Sequence, residues 1–500
     1  MSPAPARSNE PQTTRARLAA VITESRTIMR KDAGLNGELD RLPQMAWLLF
    51  LKAFDDLEKQ RAVQQRDYRP ILDDDLRWSS WAETNGRTGN ALLTFVDGTL
   101  LPGLRELKGT GQATDPHDTL ARVFQDVQNR MLSGHLLREL INQLDKVEFT
   151  NSDDIHTMAH LYESMLREMR DAAGDSGEFY TPRPLVRFVV GRIDPKPGER
   201  VLDPAAGTGG FLVESFEHMI AASDLTAAQV KAVKEGIRGI EKKPLPYLLC
   251  LVNLLLHGVD QPHVTGADAL GFDPAEMQRT GVDVVVTTPP FGGEEEASIL
   301  GNFPSAKRTS ETVWLFLQAA MARLERSRTG RCAIVVPDSV LFDQGIGAKI
   351  KKDLLSRFNL HTVVRLPNGV FAPYTLIPSN VLFFEKGEQQ PHVWFYEHPL
   401  PEGRKNYTKT KPLRYEEFAG CEAWWGGGTH AGREENEHAW KVAVSDIVAG
   451  GYNLDLRNPH PADGVTHRPP AELVAELIET EREILGLLEE LQREIKDFSW

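Results

Sequence analysis

The run Val284-Val285-Val286-Thr287 reads as a buried strand, and it is cut off at once by Thr288-Pro289-Pro290-Phe291. Proline has no N–H to give a neighbouring strand, so pairing must stop there and leave carbonyls without ladder partners. A strand that ends in unpaired carbonyls beside an aromatic ring suits a flat, amino-bearing ligand. About 80 residues upstream lies Asp203-Pro204-Ala205-Ala206-Gly207-Thr208-Gly209-Gly210, a glycine-rich loop after the short apolar run Val201-Leu202. Glycines there allow close approach of backbone to ligand and open the helix predicted from Phe211 to Ile220 at its electropositive end. Such a loop fits an adenosine-containing cofactor, a dinucleotide or a plain strand-to-helix turn.

The acids that follow narrow the choice. The next strand-like segment ends in Gly239-Ile240-Glu241, about 30 residues after the loop, where a carboxylate can take ribose hydroxyls. A third ends in Gly266-Ala267-Asp268. Asp268 at that position either reaches the adenine of a cofactor or caps a helix.

The strand-like runs extend from about residue 200 to 384, and helical segments separate several of them. They are Arg200–Leu202, Gly236–Ile240, Val282–Thr287, Cys332–Val336, His361–Leu366 and Asn380–Phe384. This rhythm predicts an α/β fold with a mostly parallel, Rossmann-like sheet. Residues 15–150 read as an N-terminal helical domain, with apolar residues at helical spacing over Leu42–Phe54 and Leu132–Leu144. Asp67–Gly111, rich in Trp, Pro, Gly and Asp, reads as long connections. His156–Arg170 reads as a helix. Residues 1–14 read as a disordered tail and 151–460 as the α/β domain. The remainder, 461–500, reads as a linker and a C-terminal helix. In that helix Val474, Leu477, Glu481, Ile484, Leu488, Leu491 and Ile495, six of them apolar, recur in steps of three and four, as in a partner-binding coiled coil or a helix packed on its own domain.

Charge limits the partners. With 57 Lys and Arg against 71 Asp and Glu, the net charge is −14. An unaided DNA-binding chain ordinarily shows a basic domain or stripe. Either nucleic acid is avoided, or another chain supplies much of the phosphate contact. Three scattered cysteines, Cys250, Cys332 and Cys421, form no metal-binding spacing, so no metal is expected. They fit a reducing, cytoplasmic setting. No apolar stretch approaches the length of a membrane span.

Further motifs carry a family resemblance. Gly177-Glu178-Phe179-Tyr180-Thr181-Pro182-Arg183 precedes the glycine loop. Asn253–Gly258, Asn302-Phe303-Pro304, Val336-Pro337-Asp338, Leu366–Phe371 and Glu397-His398-Pro399 follow in order. Over roughly residues 155–460 the chain resembles the modification (methyltransferase) subunit of prokaryotic type I restriction–modification systems. The resemblance implies S-adenosylmethionine as methyl donor and adenine N6 in double-stranded DNA as acceptor, with the target base flipped out of the helix. It implies assembly with a specificity subunit, a second copy of the modification subunit and, for cleavage, a restriction subunit. Carried over by position, Glu178, Phe179, Tyr180, Thr181, Pro182 and Arg183 line the methionine end of the cofactor. Asp203, Gly207, Thr208, Gly209 and Gly210 form its loop, and Glu241 and Asp268 follow. Pro289 offers a carbonyl to the base amino group, Pro290 fixes the turn and Phe291 stacks on the base.

One position departs from that pattern. The adenine family has Asn where this chain has Thr288, a shorter, branched side chain with a weaker acceptor. Thr288 admits three readings. It is a working variant of an adenine methylase, an inactivating change that leaves a DNA-clamping subunit, or the mark of a cytosine N4 enzyme.

Overall fold

The computed structural model describes residues 14–149, 181–460 and 481–482, apart from short gaps at 65–67, 83–85, 111–114, 222–223, 260, 274–276, 278, 280, 373–374 and 428–429. The sequence readings for 1–13, for the helix over 156–170 and for the C-terminal helix fall outside these residues, as do Glu178, Phe179 and Tyr180.

A nine-stranded sheet organises the fold. Its strands are β1 (Val201–Asp203), β2 (Ile237–Glu241), β3 (His263–Gly266), β4 (Val284–Thr287), β5 (Arg331–Pro337), β6 (Phe358–Leu366), β7 (Ser379–Lys386), β8 (His392–Glu397) and β9 (Ala439–Ala443). Their spatial order is 3-2-1-4-5-7-6-8-9. The first five are parallel, β7 runs antiparallel between β5 and β6, and β8 is parallel to β6. The chain fills one side of β1 with β2 and β3, then crosses over to lay β4 on the other side. Ligands in open α/β sheets bind in the crevice at such a reversal, outside the carboxyl ends of the strands. Here that crevice lies between the ends of β1 and β4, which pair at Val201–Val284 and Leu202–Val285.

Every residue of β1 and β4 is buried, as their unbroken apolar character requires for strands covered on both faces. The helix Pro244–Leu256 is buried along its whole length from Pro246 onward. An all-round apolar helix needs cover on every side. It packs against β2 and β3 and against the N-terminal helix Glu38–Gln64, so the helical region and one sheet face share a continuous apolar core. A second core fills the opposite face around Leu202, Val285, Trp314 and Phe384.

Two expectations are corrected. Asp67–Gly111 is not a set of long connections: helical turns at Asp74–Leu76, Trp78–Trp81 and Gly89–Arg105 bury Trp78, Trp81, Phe95 and Leu104. Burial of these large rings outweighs the local preference of Gly89, Gly98 and Gly103 for turns. The chain after 395 is also less irregular than its polar composition implied, because β8 and β9 extend the sheet.

Candidate active site

The site is built from the ends of β1, β2 and β4. After β1 the backbone turns through Gly207 (φ +54°) and Gly209 (φ +79°), left-handed conformations that glycine adopts without steric cost. The helix Gly210–Ile220 then begins with its amides facing the loop. The loop is tied on three sides. The Ala206 amide donates to the Ile240 carbonyl at 3.0 Å, the Gly207 amide to Glu241 Oε2 at 2.8 Å, and Asn253 Nδ2 to the Thr208 carbonyl at 2.9 Å. A Cβ at Gly209 would lie 2.8 Å from Cys250 Sγ, and one at Gly210 would collide with the Arg183 guanidinium. Gly209 is therefore required by packing and by backbone angle, Gly207 by its angle and Gly210 by packing.

The two acids at the strand ends behave differently. Asp203 is buried, and its Oδ1 accepts the Ala205 amide at 3.0 Å. Burial pushes its pKa up to about 7, against the Thr287 hydroxyl and the Ala205 amide, and the nearby Glu241 pushes it further. Glu241 is also raised by burial, opposed mainly by the amides of Lys243 and Gly207 that its carboxylate accepts. Each oxygen retains lone-pair capacity for a ligand hydroxyl. Asp268, by contrast, pairs with Lys242 at 2.8 Å and accepts the Leu270 amide at 2.9 Å. It is absent from the lining of the cavity beside Asp203. Among the described residues no helix begins at Asp268, whose carboxylate instead closes a local turn at Leu270.

Thr288 closes the other side. A narrow cavity of about 20 Å³ is lined by Thr181, Arg183, Asp203, Gly207, Thr208, Gly210 and Thr288, which joins the three motifs that sequence had put together. Thr288 Oγ1 is buried and has no hydrogen-bond partner among the described residues. The Pro290 carbonyl accepts the Thr312 hydroxyl at 3.3 Å, whereas no donor among the described residues takes the Pro289 carbonyl. Thr288 Oγ1 thus stands unused in the lining of that cavity, and the Pro289 carbonyl is unused one residue further along the chain. Phe291 meets Phe371 edge to face, with ring centroids 5.1 Å apart. Sequence reasoning quoted Phe371 only as part of a motif. Nothing in the local pattern shows that its ring crosses some 80 residues of chain to reach Phe291.

A further group lies away from this site. His361, Glu385 and His430 bring ligand-type atoms within 4.8 Å of one another. The two imidazoles stack at 4.1 Å, and Arg433 donates to His430 Nδ1 at 3.1 Å. A guanidinium inside the cluster makes it a hydrogen-bonded polar network rather than a cation site.

A parallel sheet with one antiparallel insertion, a glycine loop after β1, an acid after β2 and a proline–aromatic motif after β4 define an S-adenosylmethionine-dependent type of methyltransferase fold. Comparison with known proteins makes this specific. The N-6 DNA methylase family model matches residues 153–467, and the HsdM N-terminal domain model matches 18–144. The type I restriction enzyme EcoEI methylase subunit of Escherichia coli is 45% identical over 96% of this chain and 97% of its own length. A solved modification subunit attributed to a type I restriction enzyme of Vibrio vulnificus YJ016 shares 47% identity with a TM-score of 0.79. It covers 92% of this chain and 100% of that one. A chain from a structural study of type I restriction–modification assembly shares 38% identity with a TM-score of 0.83, over 98% of this chain and 100% of that one. The chain belongs to the N-6 DNA methylase family, among the methylase subunits of type I restriction–modification enzymes.

Proposed function

We propose that the loop Asp203–Gly210, Arg183 and Glu241 hold S-adenosylmethionine, and that Thr288, Pro289 and Phe291 receive an adenine flipped out of DNA. The fit of the cofactor rests on the chain's own features. The positive φ of Gly207 and Gly209 turns the loop after β1, a Cβ at Gly210 would collide with Arg183, and the buried Glu241 carboxylate keeps acceptor capacity beside the loop. The bound cofactor would supply a methyl group carried on a positively charged sulfur. The segment Glu178–Arg183 is assigned to the methionine end of the cofactor, and Asp268, paired with Lys242, to its outer margin.

The observation that carries the reading is the pair of unused acceptors, Thr288 Oγ1 and the Pro289 carbonyl. An adenine amino group is a poor nucleophile because its lone pair is delocalised into the ring. Accepting both of its N–H groups localises that pair and fixes the nitrogen's direction. Pro290, held through its carbonyl by Thr312, keeps the turn that presents these acceptors. Phe291 offers a face for stacking, which offsets part of the few kcal/mol that base flipping costs.

A specificity subunit is assigned the reading of the DNA sequence, which agrees with the chain's net charge of −14. A second copy of this chain and, for cleavage, a restriction subunit complete the assembly, and a C-terminal helix over 471–500 is proposed to bind the partner. The three cysteines are free and buried, which fits the cytoplasm of a prokaryote. Among the described residues no helix is long and apolar enough to cross a membrane. The test is cofactor binding by calorimetry for the intact chain and for Gly209→Val. The intact chain is expected to bind, and the variant, whose added side chain meets Cys250 behind the loop and displaces it, to lose binding. Equal affinity would overturn the assignment.

A further inference from the structure

Three motifs have no role in the site described above, and they converge. Asp338 follows β5, Leu366-Pro367-Asn368 closes β6, and Glu397-His398-Pro399 ends β8. All of them line one cavity of about 460 Å³. That volume lies within the range of about 300–1,000 Å³ common to small-ligand sites.

The cavity opens along the same edge of the sheet as the catalytic motif. Thr288 follows β4, Asp338 follows β5, and β4 and β5 are paired neighbours, with Thr287 opposite Ile334. The loop after β6 joins the two places directly. Its Asn368 lines the cavity, and three residues later Phe371 rests on Phe291.

Its chemistry is that of a reader of polar rings. His398 is 3% exposed and stacks on Phe418 at 4.5 Å, so its ring is fixed. Neither of its ring nitrogens has a hydrogen-bond partner among the described residues. A buried imidazole with both nitrogens unused is costly, by the desolvation of each group. Burial lowers its pKa to about 4, with His438 adding to the shift and Glu417 opposing it, so the ring is neutral and carries one donor and one acceptor. Asn368, exposed at the rim, adds a second donor–acceptor pair, and the exposed Lys405 adds a cation, with the carboxylates of Asp338, Glu397 and Glu437 in the same lining. Arg365 is already held by Asp455 at 2.8 Å and shapes the wall.

We infer that this cavity is a second nucleotide subsite, which takes the DNA nucleotide next to the flipped adenine and reads its base with His398 and Asn368. This rests on the proposed placement of adenine at Thr288 and Phe291. A nucleobase edge offers donors and acceptors side by side, which matches the amide of Asn368 at the rim, with the solvent-shielded nitrogens of His398 beneath it. The continuity of the cavity with Phe291 through Asn368–Phe371 of one loop favours a nucleotide of the same strand over a segment of a partner protein.

The test uses the full chain in complex with its specificity subunit and a duplex bearing the site that the complex protects in footprinting. Single abasic replacements are made on either side of the target adenine. Equilibrium affinity and, where methyl transfer occurs, KM and kcat are measured for the unaltered chain, His398→Ala and Asn368→Ala. On intact duplex each variant should bind about tenfold more weakly, the scale of a lost base-edge contact, with KM rather than kcat affected. One flanking abasic site should weaken the unaltered complex by a similar factor and leave His398→Ala unaffected, since the partner of the imidazole is already gone. Independent, multiplying effects would overturn the inference. Loss of the specificity subunit on size exclusion would also overturn it, in favour of a protein-docking cavity. Asn368 is exposed, so its variant keeps the test valid if His398→Ala misfolds. Absence of methylation by the unaltered complex on intact duplex would count against the function proposed above, while the binding arm would still decide the subsite.

Discussion

The Glu241 carboxylate at the end of β2 accepts the Gly207 amide, 34 residues earlier in the chain, at 2.8 Å. The acid assigned to the cofactor ribose therefore also holds the loop proposed to cradle the cofactor. Glu241→Ala leaves the buried amide of Gly207 without its acceptor, a loss of about 1–3 kcal/mol, whereas the amide of the exposed Lys243 can turn to water. Calorimetry should show S-adenosylmethionine affinity falling at least tenfold. Glu241→Gln keeps one oxygen acceptor and should fall less. Equal losses in the two variants would mean that charge alone matters.

Asp203 gives a pH signature. Its folded pKa of about 7 stands above the ordinary 3.8, so the folded state binds the proton more tightly than the unfolded chain does. The associated stability is present below about pH 4 and is lost as pH rises through 7. Asp203→Asn removes that dependence and keeps an oxygen for the Ala205 amide. Thermal melts without cofactor should show the variant several degrees more stable than the parent at pH 8 and little changed near pH 4. With cofactor, the parent should bind the cationic sulfur more tightly as pH passes 7, and the variant should lack that slope. A melting difference that is the same at both pH values would contradict the assignment.

Arg331 anchors the start of β5. Its guanidinium pairs with both Glu199 oxygens, at 2.8 and 2.7 Å, and donates to the carbonyls of Ile193 and Asp194, each at 2.7 Å. A planar fork makes these four bonds and an ammonium cannot. Arg331→Lys should lower the melting temperature, and Arg331→Ala should lower it further, by about 2–4 kcal/mol in stability. Cofactor affinity at low temperature should be unchanged.

The sequence showed most of what the sheet centre does, because β1, β4 and β5 are apolar runs bounded by turn residues. The glycine loop, Glu241 and the proline motif were also legible, since each sits where a strand must stop. The outer strands were not. In β8 and β9, His392, Glu397 and Lys441 are exposed, which hides strands inside a polar stretch. The helices over 74–105 were hidden by glycines and a proline, whose local preference is overruled by buried tryptophans. The contact of Phe371 with Phe291 and the convergence on His398 depend on sheet order, which no local pattern encodes.

Phe371 should matter to the base although it is remote from Phe291 in sequence. Removing its ring in Phe371→Ala takes away the edge contact that orients Phe291. With 2-aminopurine at the target position, the fluorescence of the flipped base should drop, and kcat/KM should fall about tenfold. An unaltered flipping signal would place Phe371 outside the base site.

The central claim is that Thr288 serves as a working acceptor for an adenine amino group. Nucleoside mass analysis of duplex DNA incubated with S-adenosylmethionine and the assembled complex tests it most directly, with Thr288→Asn and Thr288→Ala measured in parallel. N6-methyladenine is expected from the Thr288 protein. About tenfold or more faster transfer is expected from Thr288→Asn, and a loss on the order of 10²-fold from Thr288→Ala. N4-methylcytosine, or no methylated base from the Thr288 complex while Thr288→Asn is active, would contradict it.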